Sequence, residues 1–364
     1  MPDATRSIEQ LVRKTFFPAV VLLLPILSGC LGGSYASFSD LLQRHPSNRL
    51  ENWQAFFQAR NRLAELPPDF IQPASELPLK YGIDMNDLDG FHPPRPAYPE
   101  ANELKEMRRN LDLALRSQPE LKNFLLRRVS GIYLVHDLGS SGLTGFIYDT
   151  NGRARAGFIL LDLDRTRMSA EEMINLREKS IVQDGESLPA FWGYRLSCGS
   201  RPCPGTVSAA TYLLFHESAH IATEVYEILP RLLLREDQYN AADSLISPFK
   251  RFWQSPWDTA SEYEFRSKLR FYHDNPQLSR EEHSRAVSQA MNDGFPGLYS
   301  TLDVWEHSAE IVAYMMLRRQ VEFHLDAENR RIFNAADYPG YVTFMRLVKK
   351  TMSEDKGIET ATDR

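Results

Sequence analysis

The spacing of hydrophobic and polar positions predicts helices in three parts of the chain. Between residues 41 and 66, apolar side chains recur at helical spacings, which predicts one or two helices. Residues 101–127 show the same periodicity, and Pro119 is expected to begin a second helix there. Farther on, the pattern predicts a polar helix over 279–291 and a longer helix from residue 302 to residue 323.

A small sheet is predicted between these helical regions. The strands are expected at 132–135, 145–148 and 156–163. Asn151-Gly152 lies between the last two strands, and both residue types tolerate positive φ, so this dipeptide predicts a β-hairpin over about 144–163. The third strand is apolar almost throughout, so we expect it to be buried on both faces or to lie against a helix.

These patterns predict the α+β fold class, mostly helical with a small sheet. Eight prolines between residues 67 and 99 indicate a segment without regular helix. We therefore expect an N-terminal helical region over 41–127 that contains this Pro-rich segment. A main domain over 128–352 and a polar tail over 353–364 are expected to follow.

The N-terminus has the organisation of a secretion signal. Three basic residues precede an apolar run of twelve residues, 16–27. A membrane-spanning helix needs about twenty apolar residues, so this run is typical of a cleaved signal peptide instead. The run ends in Leu27-Ser28-Gly29-Cys30, which resembles the lipobox of bacterial lipoproteins.

The lipobox resemblance implies a signal peptide over 1–29, lipid attachment to the thiol of Cys30 and a tether over 30–40. Two or more acyl chains are enough for stable membrane anchoring. Leu31 stands where Asp would favour retention in the inner membrane. The resemblance therefore implies an outer-membrane lipoprotein that faces the periplasm.

If Cys30 carries lipid, Cys198 and Cys203 are the two remaining cysteines. Gly199 and Pro202 make a tight loop between them feasible, and exported proteins favour disulfides, so we expect this pair to be bonded. A zinc site is the rival interpretation, but it would need a second Cys or His pair nearby. The disulfide would fix a local turn without adding much global stability, because the loop is short.

The charge balance limits the partners. The whole chain has 42 Lys and Arg against 48 Asp and Glu, and removal of residues 1–29 leaves 39 against 46. This negative balance argues against nucleic acid as a partner and against wide electrostatic adhesion to anionic lipid. Membrane contact is then left to the lipid on Cys30.

The strongest chemical signal is a His-Glu-x-x-His motif formed by His216, Glu217 and His220. Residues i and i+4 share one helical face, so both imidazoles can bind one Zn²⁺. Glu217 is rotated by about 100° from His216, where it can act as general base in metal-assisted hydrolysis. The apolar run 209–215 before the motif predicts a buried helix. The alternative is a buried histidine pair held by carbonyls and carboxylates.

A catalytic zinc site of this kind needs a third protein ligand. The elongated metzincin motif is absent, since Thr223 and Tyr226 stand at its Gly and His positions. Residues 305–314 (WEHSAEIVAY) instead resemble the Asn-Glu-x-x-Ala-Glu-Tyr type of segment found in gluzincins. That resemblance implies that Glu306 is the third zinc ligand and that Glu310 orients a zinc-binding histidine.

Two assignments stay open at this point. Other carboxylates that could be the third ligand are Glu310 itself, Glu262, Glu264 and Glu224. Of these, Glu224 shares a helical face with His220 and is better placed to support a ligand than to bind the metal. Residues near Glu306 that could stabilise an oxyanion are Tyr299, His307 and Tyr314, and spacing does not choose among them.

The zincin-like resemblance implies a lipid-anchored, zinc-dependent metallohydrolase of the bacterial cell envelope, in the first instance a peptidase with Glu217 as general base. Its catalytic domain would be zincin-like, and its substrates would be peptides or proteins, peptidoglycan peptides included. One alternative is a non-catalytic zinc-binding or scaffold lipoprotein of the envelope. A second is a metal-free interaction module that uses the aromatic segment 252–272.

Overall fold

Helices and two β-sheets make up the part of the chain that the computed structural model describes, residues 35–60, 63–233, 248–326 and 328–358. The helices are α1 (Phe38–Arg44), α2 (Gln54–Arg60), α3 (Glu76–Asp89), α4 (Ala101–Arg116), α5 (Pro119–Arg128), α6 (Leu163–Thr166), α7 (Ala170–Lys179), α8 (Ala209–Val225), α9 (Arg280–Asp293), α10 (Val304–Leu317) and α11 (Pro339–Glu354). The strands are β1 (Ile71–Pro73), β2 (Arg95–Pro96), β3 (Val129–His136), β4 (Gly142–Tyr148), β5 (Ala154–Asp162), β6 (Gly193–Ser197), β7 (Gln320–His324) and β8 (Arg330–Phe333). This mixture confirms the α+β class. Within these ranges, every helix is too short or too polar to cross a bilayer.

The larger sheet has the strand order β1-β3-β5-β4. β1 and β5 run parallel to β3, β4 runs antiparallel to β5, and β2 pairs antiparallel with the end of β3. The predicted hairpin is present as β4 and β5. Its turn is longer than two residues: Gly152 has φ 70°, and the Asp149 carboxylate accepts the N–H groups of Asn151 and Arg153. Strand β4 is thus an edge strand of this sheet, and an isolated bridge joins its last residue, Tyr148, to Arg49.

Strand β5 is buried on both faces, as its apolar sequence predicts. On one face Leu160 reaches Gly82 of α3, and on the other Gly157 lies against α8. A Cβ at Gly157 would come within 2.7 Å of Ile221 Cγ1 on α8. The glycine therefore allows α8 to pack closely against the sheet, which fixes the position of the helix that carries the His-Glu-x-x-His motif.

Helix α3 contradicts the prediction that residues 67–99 contain no regular helix. Pro78 stands in the first turn of α3, where a backbone N–H has no partner within the helix to lose. Gly90 ends the helix with a left-handed φ of 77°. The other prolines lie outside the helix, so they bound it and do not prevent it.

Helix α10 is shorter than the predicted helix over 302–323. It ends at Leu317, and Arg318 adopts a left-handed φ of 55°. The chain then forms β7, the central strand of a second sheet with the antiparallel order β6-β7-β8. Residues 315–320 contain neither glycine nor proline, the usual signals of a helix end. The hydrophobic periodicity therefore predicts a helix that continues past Leu317.

Two predicted boundaries are shifted. The first turn of α1 begins at Phe38, inside the predicted tether over 30–40. Beyond α11, Asp355 of the predicted polar tail is buried and pairs with Arg128, with 2.6 Å between Nη2 and Oδ1.

Helix α8 packs against both the larger sheet and α10. Its N-terminus is capped by Ser208, whose side chain accepts the N–H of Thr211. Tyr212 near the start of α8 contacts Tyr314 near the end of α10, while His220 contacts Glu306 near the start of α10. The two helices therefore run antiparallel, and their facing surfaces form the candidate site.

Candidate metal centre

His216, His220 and Glu306 converge where α8 meets α10. His216 Nε2 lies 3.2 Å from His220 Nε2 and 3.1 Å from Glu306 Oε2, and His220 Nε2 lies 3.7 Å from the same oxygen. Zinc bonds of about 2.0–2.1 Å in a tetrahedral site place ligand atoms about 3.3–3.4 Å apart. The three atoms thus have the spacing of three corners of a tetrahedron, and two imidazoles with one carboxylate are a donor set that catalytic zinc uses.

The charges of this cluster suit a cation. Burial raises the pKa of Glu306, but the imidazoles of His220 and His216 lower it, and its pKa lies well below the ordinary value. Burial lowers the pKa of His220, whereas the Glu306 carboxylate raises it, to about 9 overall. Glu306 is therefore an ionised carboxylate directed at two imidazole nitrogens, and a divalent cation can replace the protons they share.

Glu310 lies behind the cluster, on the far side of His216. Its Oε1 accepts hydrogen bonds from Arg177 Nη1, at 3.1 Å, and from the Tyr212 hydroxyl, and its Oε2 accepts from the Tyr314 hydroxyl at 2.7 Å. Oε1 is also 3.4 Å from His216 Nδ1, too long or poorly aligned for a formed hydrogen bond. Glu310 is thus placed to orient His216, and not to bind the same ion as Nε2.

Glu217 lies beside the cluster and faces strand β4. It is 5% exposed, and its Oε2 accepts a hydrogen bond from Thr144 Oγ1 at 2.6 Å. Its other oxygen, Oε1, is next to the backbone of Gly142. The carboxylate therefore sits at the rim of the site without joining the three ligand atoms, as the 100° rotation from His216 predicts.

The other carboxylates considered as a third ligand lie elsewhere. Glu262 and Glu264 line a different cleft, together with Lys268 and Glu282. Glu224 accepts the backbone N–H of Leu232 at 3.1–3.2 Å. Among the described residues, Glu306 is the carboxylate that lies with the two histidines, and Glu262, Glu264 and Glu224 do not.

Of the three residues considered for oxyanion stabilisation, Tyr299 lines the cleft over the cluster. Its ring centroid is 6.2 Å from that of His216, and the Arg177 guanidinium carbon lies 3.9 Å from the Tyr299 ring centroid. His307 is a buried core residue between Trp253 and Tyr341, and Tyr314 is occupied with Glu310. Neither of the last two is free to meet a substrate.

The cleft has a volume of about 280 Å³ and combines acidic groups with apolar walls. Its apolar lining residues are Phe38, Met85, Leu143, Phe146, Leu232 and Trp305. Asp89 and Asp303 add two carboxylates, and Asp303 also caps α10 by accepting the N–H of Glu306. No Lys or Arg of the described residues lines it.

The sulfur atoms of Cys198 and Cys203 lie at disulfide distance, with their Cα atoms 5.4 Å apart. The pair follows β6 and precedes α8. Arg319 donates hydrogen bonds to Cys198 Sγ and, at 2.9 Å, to the carbonyl of Gly205. Arg319, the residue just before β7, thus connects the turn that leads into α8 to the start of β7.

Sequence reasoning missed Thr144, Arg177 and Asp303. Arg177 and Thr144 are distant in sequence from the motifs they contact, and threonines and arginines are common, so no local signal marks them. Asp303 carries a signal that could have been used, since Asp three residues before Glu306 at the start of an apolar helix is the pattern of an N-cap.

Comparisons with models of known protein families, with curated proteins and with solved structures gave no match to this chain. The site is therefore interpreted from its own geometry. Cys30 and the signal peptide predicted before it lie outside the described residues.

Proposed function

We propose that this chain is a zinc-dependent metallohydrolase, and that it acts as a peptidase. The observation that carries the proposal is the convergence of His216 Nε2, His220 Nε2 and Glu306 Oε2 at mutual distances of 3.1–3.7 Å. A buried carboxylate, that of Glu217, lies next to this cluster and is not used by it. Three ligands with a separate base are what metal-assisted hydrolysis requires.

In this proposal His216, His220 and Glu306 hold the ion. A Zn²⁺ bound by these three residues would act as a Lewis acid, which would polarise a carbonyl and make water more acidic. Glu217 accepts the proton of the attacking water on its carboxylate and delivers it to the leaving nitrogen. Glu310, whose Oε1 lies 3.4 Å from His216 Nδ1, would orient the His216 ring from behind, with its own charge stabilised by hydrogen bonds from Arg177, Tyr212 and Tyr314.

The cleft supports a peptide as the substrate. Its walls are apolar and its charged lining residues are acidic, so stretches of polypeptide with apolar side chains fit it better than strongly anionic molecules. The site and its helix pair are consistent with a zincin-like, gluzincin-type domain. The lipobox resemblance at Cys30 supports a lipid-anchored location in the bacterial cell envelope.

Metal analysis and a peptide library test the proposal. The full-length protein, purified in detergent, is expected to bind one zinc per chain and to cleave a mixed peptide library in a chelator-sensitive manner. Glu217→Gln should keep zinc. Its rate of hydrolysis should fall by at least about 10²–10⁴-fold, the usual contribution of one positioned acid–base group. Glu281→Gln, an exposed carboxylate on α9, is the matched control and should remain active.

Protein that binds no zinc refutes the metal centre. Protein that binds one zinc but cleaves no library peptide refutes the peptidase proposal and favours the non-catalytic zinc-binding lipoprotein.

A further inference from the structure

Strand β4 lies next to both oxygen atoms of the Glu217 carboxylate and donates a hydrogen bond to one of them. Thr144 Oγ1 donates to Oε2 at 2.6 Å, and the same hydroxyl lies 3.3 Å from the Glu217 backbone carbonyl. Thr144 and Glu217 are only 7% and 5% exposed, so water competes weakly for this hydrogen bond. The remaining oxygen, Oε1, lies against Gly142.

Gly142 leaves the space that the Glu217 carboxylate occupies. A Cβ at this position would be 2.6 Å from Glu217 Oε1, closer than real Cβ contacts, and 3.2 Å from its Cδ, a tight contact. The φ of Gly142 lies outside the positive range, so the backbone accepts a larger residue, but its Cβ would push the end of the Glu217 side chain away from this position. Residues 142 and 144 are two apart on one strand and therefore face the same side.

We infer that Thr144 and Gly142 are positioning residues, which fix the Glu217 carboxylate in the place where it takes a proton. The inference rests on the proposed hydrolase function. Helix α8 alone fixes only the Cα and Cβ of Glu217, and the three remaining side-chain torsions are free unless something outside the helix restrains them. The Thr144 hydroxyl and the Gly142 backbone supply that restraint from the sheet.

The rate of hydrolysis depends on the distance between the Glu217 carboxylate and the proton that it accepts. A general base acts only within hydrogen-bond reach of its proton, and displacement of a reacting group by about 1 Å can cost about 10²-fold in rate. The restraint does not touch His216, His220 or Glu306. Loss of the Thr144 hydroxyl should therefore lower kcat while zinc affinity stays unchanged.

A purely structural role for Thr144 makes a different prediction. If the hydroxyl only helps α8 to pack on β4, its loss should lower stability and disturb zinc binding together with activity. Its effect would also persist when Glu217 can no longer act as a base.

The test uses full-length, zinc-loaded protein and a peptide identified from the library. Thr144→Val, nearly isosteric, should lower kcat about 10- to 100-fold, as loss of an orienting contact usually does, with KM and zinc affinity unchanged. Thr144→Ser keeps the hydroxyl and should restore most of kcat. Thr166→Val removes another buried hydroxyl, bonded to the Leu163 carbonyl, and is the matched control.

A double-mutant cycle and a structure complete the test. Thr144→Val should have no further effect in the Glu217→Gln background, because the hydroxyl acts through Glu217. A crystal structure of metal-free Thr144→Val should show the Glu217 carboxylate displaced from β4, and that of Thr144→Ser should show it retained. Gly142→Ala should lower kcat at least as much as Thr144→Val and keep zinc.

The outcomes separate this inference from the proposed function. Wild-type protein that hydrolyses no peptide refutes the proposed function, and the roles of Thr144 and Gly142 fall with it. Active wild-type protein with an equally active Thr144→Val variant refutes only the positioning role. An equal fold-loss in the wild-type and Glu217→Gln backgrounds refutes it as well.

Discussion

The buried ion pair of Arg177 and Glu310 gives a prediction whose size can be worked out from the structure. Their side chains are 6% and 2% exposed, and Nη1 lies 3.1 Å from Oε1. Removal of one partner from a buried pair costs about 3–5 kcal/mol, because the other charge is left unpaired. For Arg177→Met we expect the lower part of this range, about 3 kcal/mol, since Tyr212 and Tyr314 still donate to Glu310.

A second contribution comes from Tyr299. The Arg177 guanidinium carbon lies 3.9 Å from the centroid of that ring, and a cation over an aromatic ring adds at least about 1 kcal/mol. Arg177→Met should therefore lower the free energy of unfolding by about 4 kcal/mol in total.

Urea unfolding of the metal-free protein, followed by circular dichroism and by fluorescence, measures this loss. The double variant Arg177→Met with Glu310→Gln should cost less than the sum of the two single variants, by at least about 2 kcal/mol, because the second change removes the unpaired charge. Arg153→Met is the control: its partner Glu227 is 3.6 Å away and both side chains are exposed, so we expect a loss of at most about 1 kcal/mol. A loss for Arg177→Met no larger than that control, or strictly additive single effects, would refute the reasoning.

Three further predictions concern other residues. Glu306→Ala should abolish zinc binding nearly as completely as His220→Ala in a competition titration, whereas Glu310→Gln should weaken it about 10- to 100-fold; equal effects of the two Glu substitutions would contradict the ligand assignment. Burial raises the pKa of Glu224 from 4.5 to about 7, so its contribution to stability is complete below pH 4.5 and is lost as the pH rises toward 7. Glu224→Gln should remove this pH dependence, about 3 kcal/mol between pH 4.5 and 7.5 in urea unfolding, and identical pH profiles would disprove it. Cys30→Ser should abolish fatty-acid labelling of the protein in cells, and labelling that persists would exclude the lipobox interpretation.

Local patterns predicted the elements on which the site depends. The apolar run before His216 does form a buried helix, and Asn151-Gly152 does lie in the turn of a hairpin. Pro119 does begin a helix. These features depend on residues within one or two turns of each other, so a single stretch of sequence contains the information.

Features that depend on distant contacts were not predictable. The end of α10 is set where Arg318 takes a left-handed conformation and β7 pairs with β6, which lies more than a hundred residues earlier. Thr144 and Arg177 became recognisable only once the fold brought them to Glu217 and Glu310. The prolines around α3 were misleading for a related reason, because position within the first helical turn decides whether Pro78 is tolerated.

The pairing of β6 with β7 has a consequence for how the protein gains and loses its metal. Ser197 at the end of β6 pairs with Gln320 at the start of β7, so the chain just before α8 and the chain just after α10 are hydrogen-bonded to each other. Backbone pairing and buried side chains thus both help to set the separation of the two helices. We therefore expect folding in this arrangement not to require zinc, in contrast to small zinc-binding domains that unfold without it. Dialysis against a chelator should leave a folded protein, and zinc added afterwards should bind again without a refolding step.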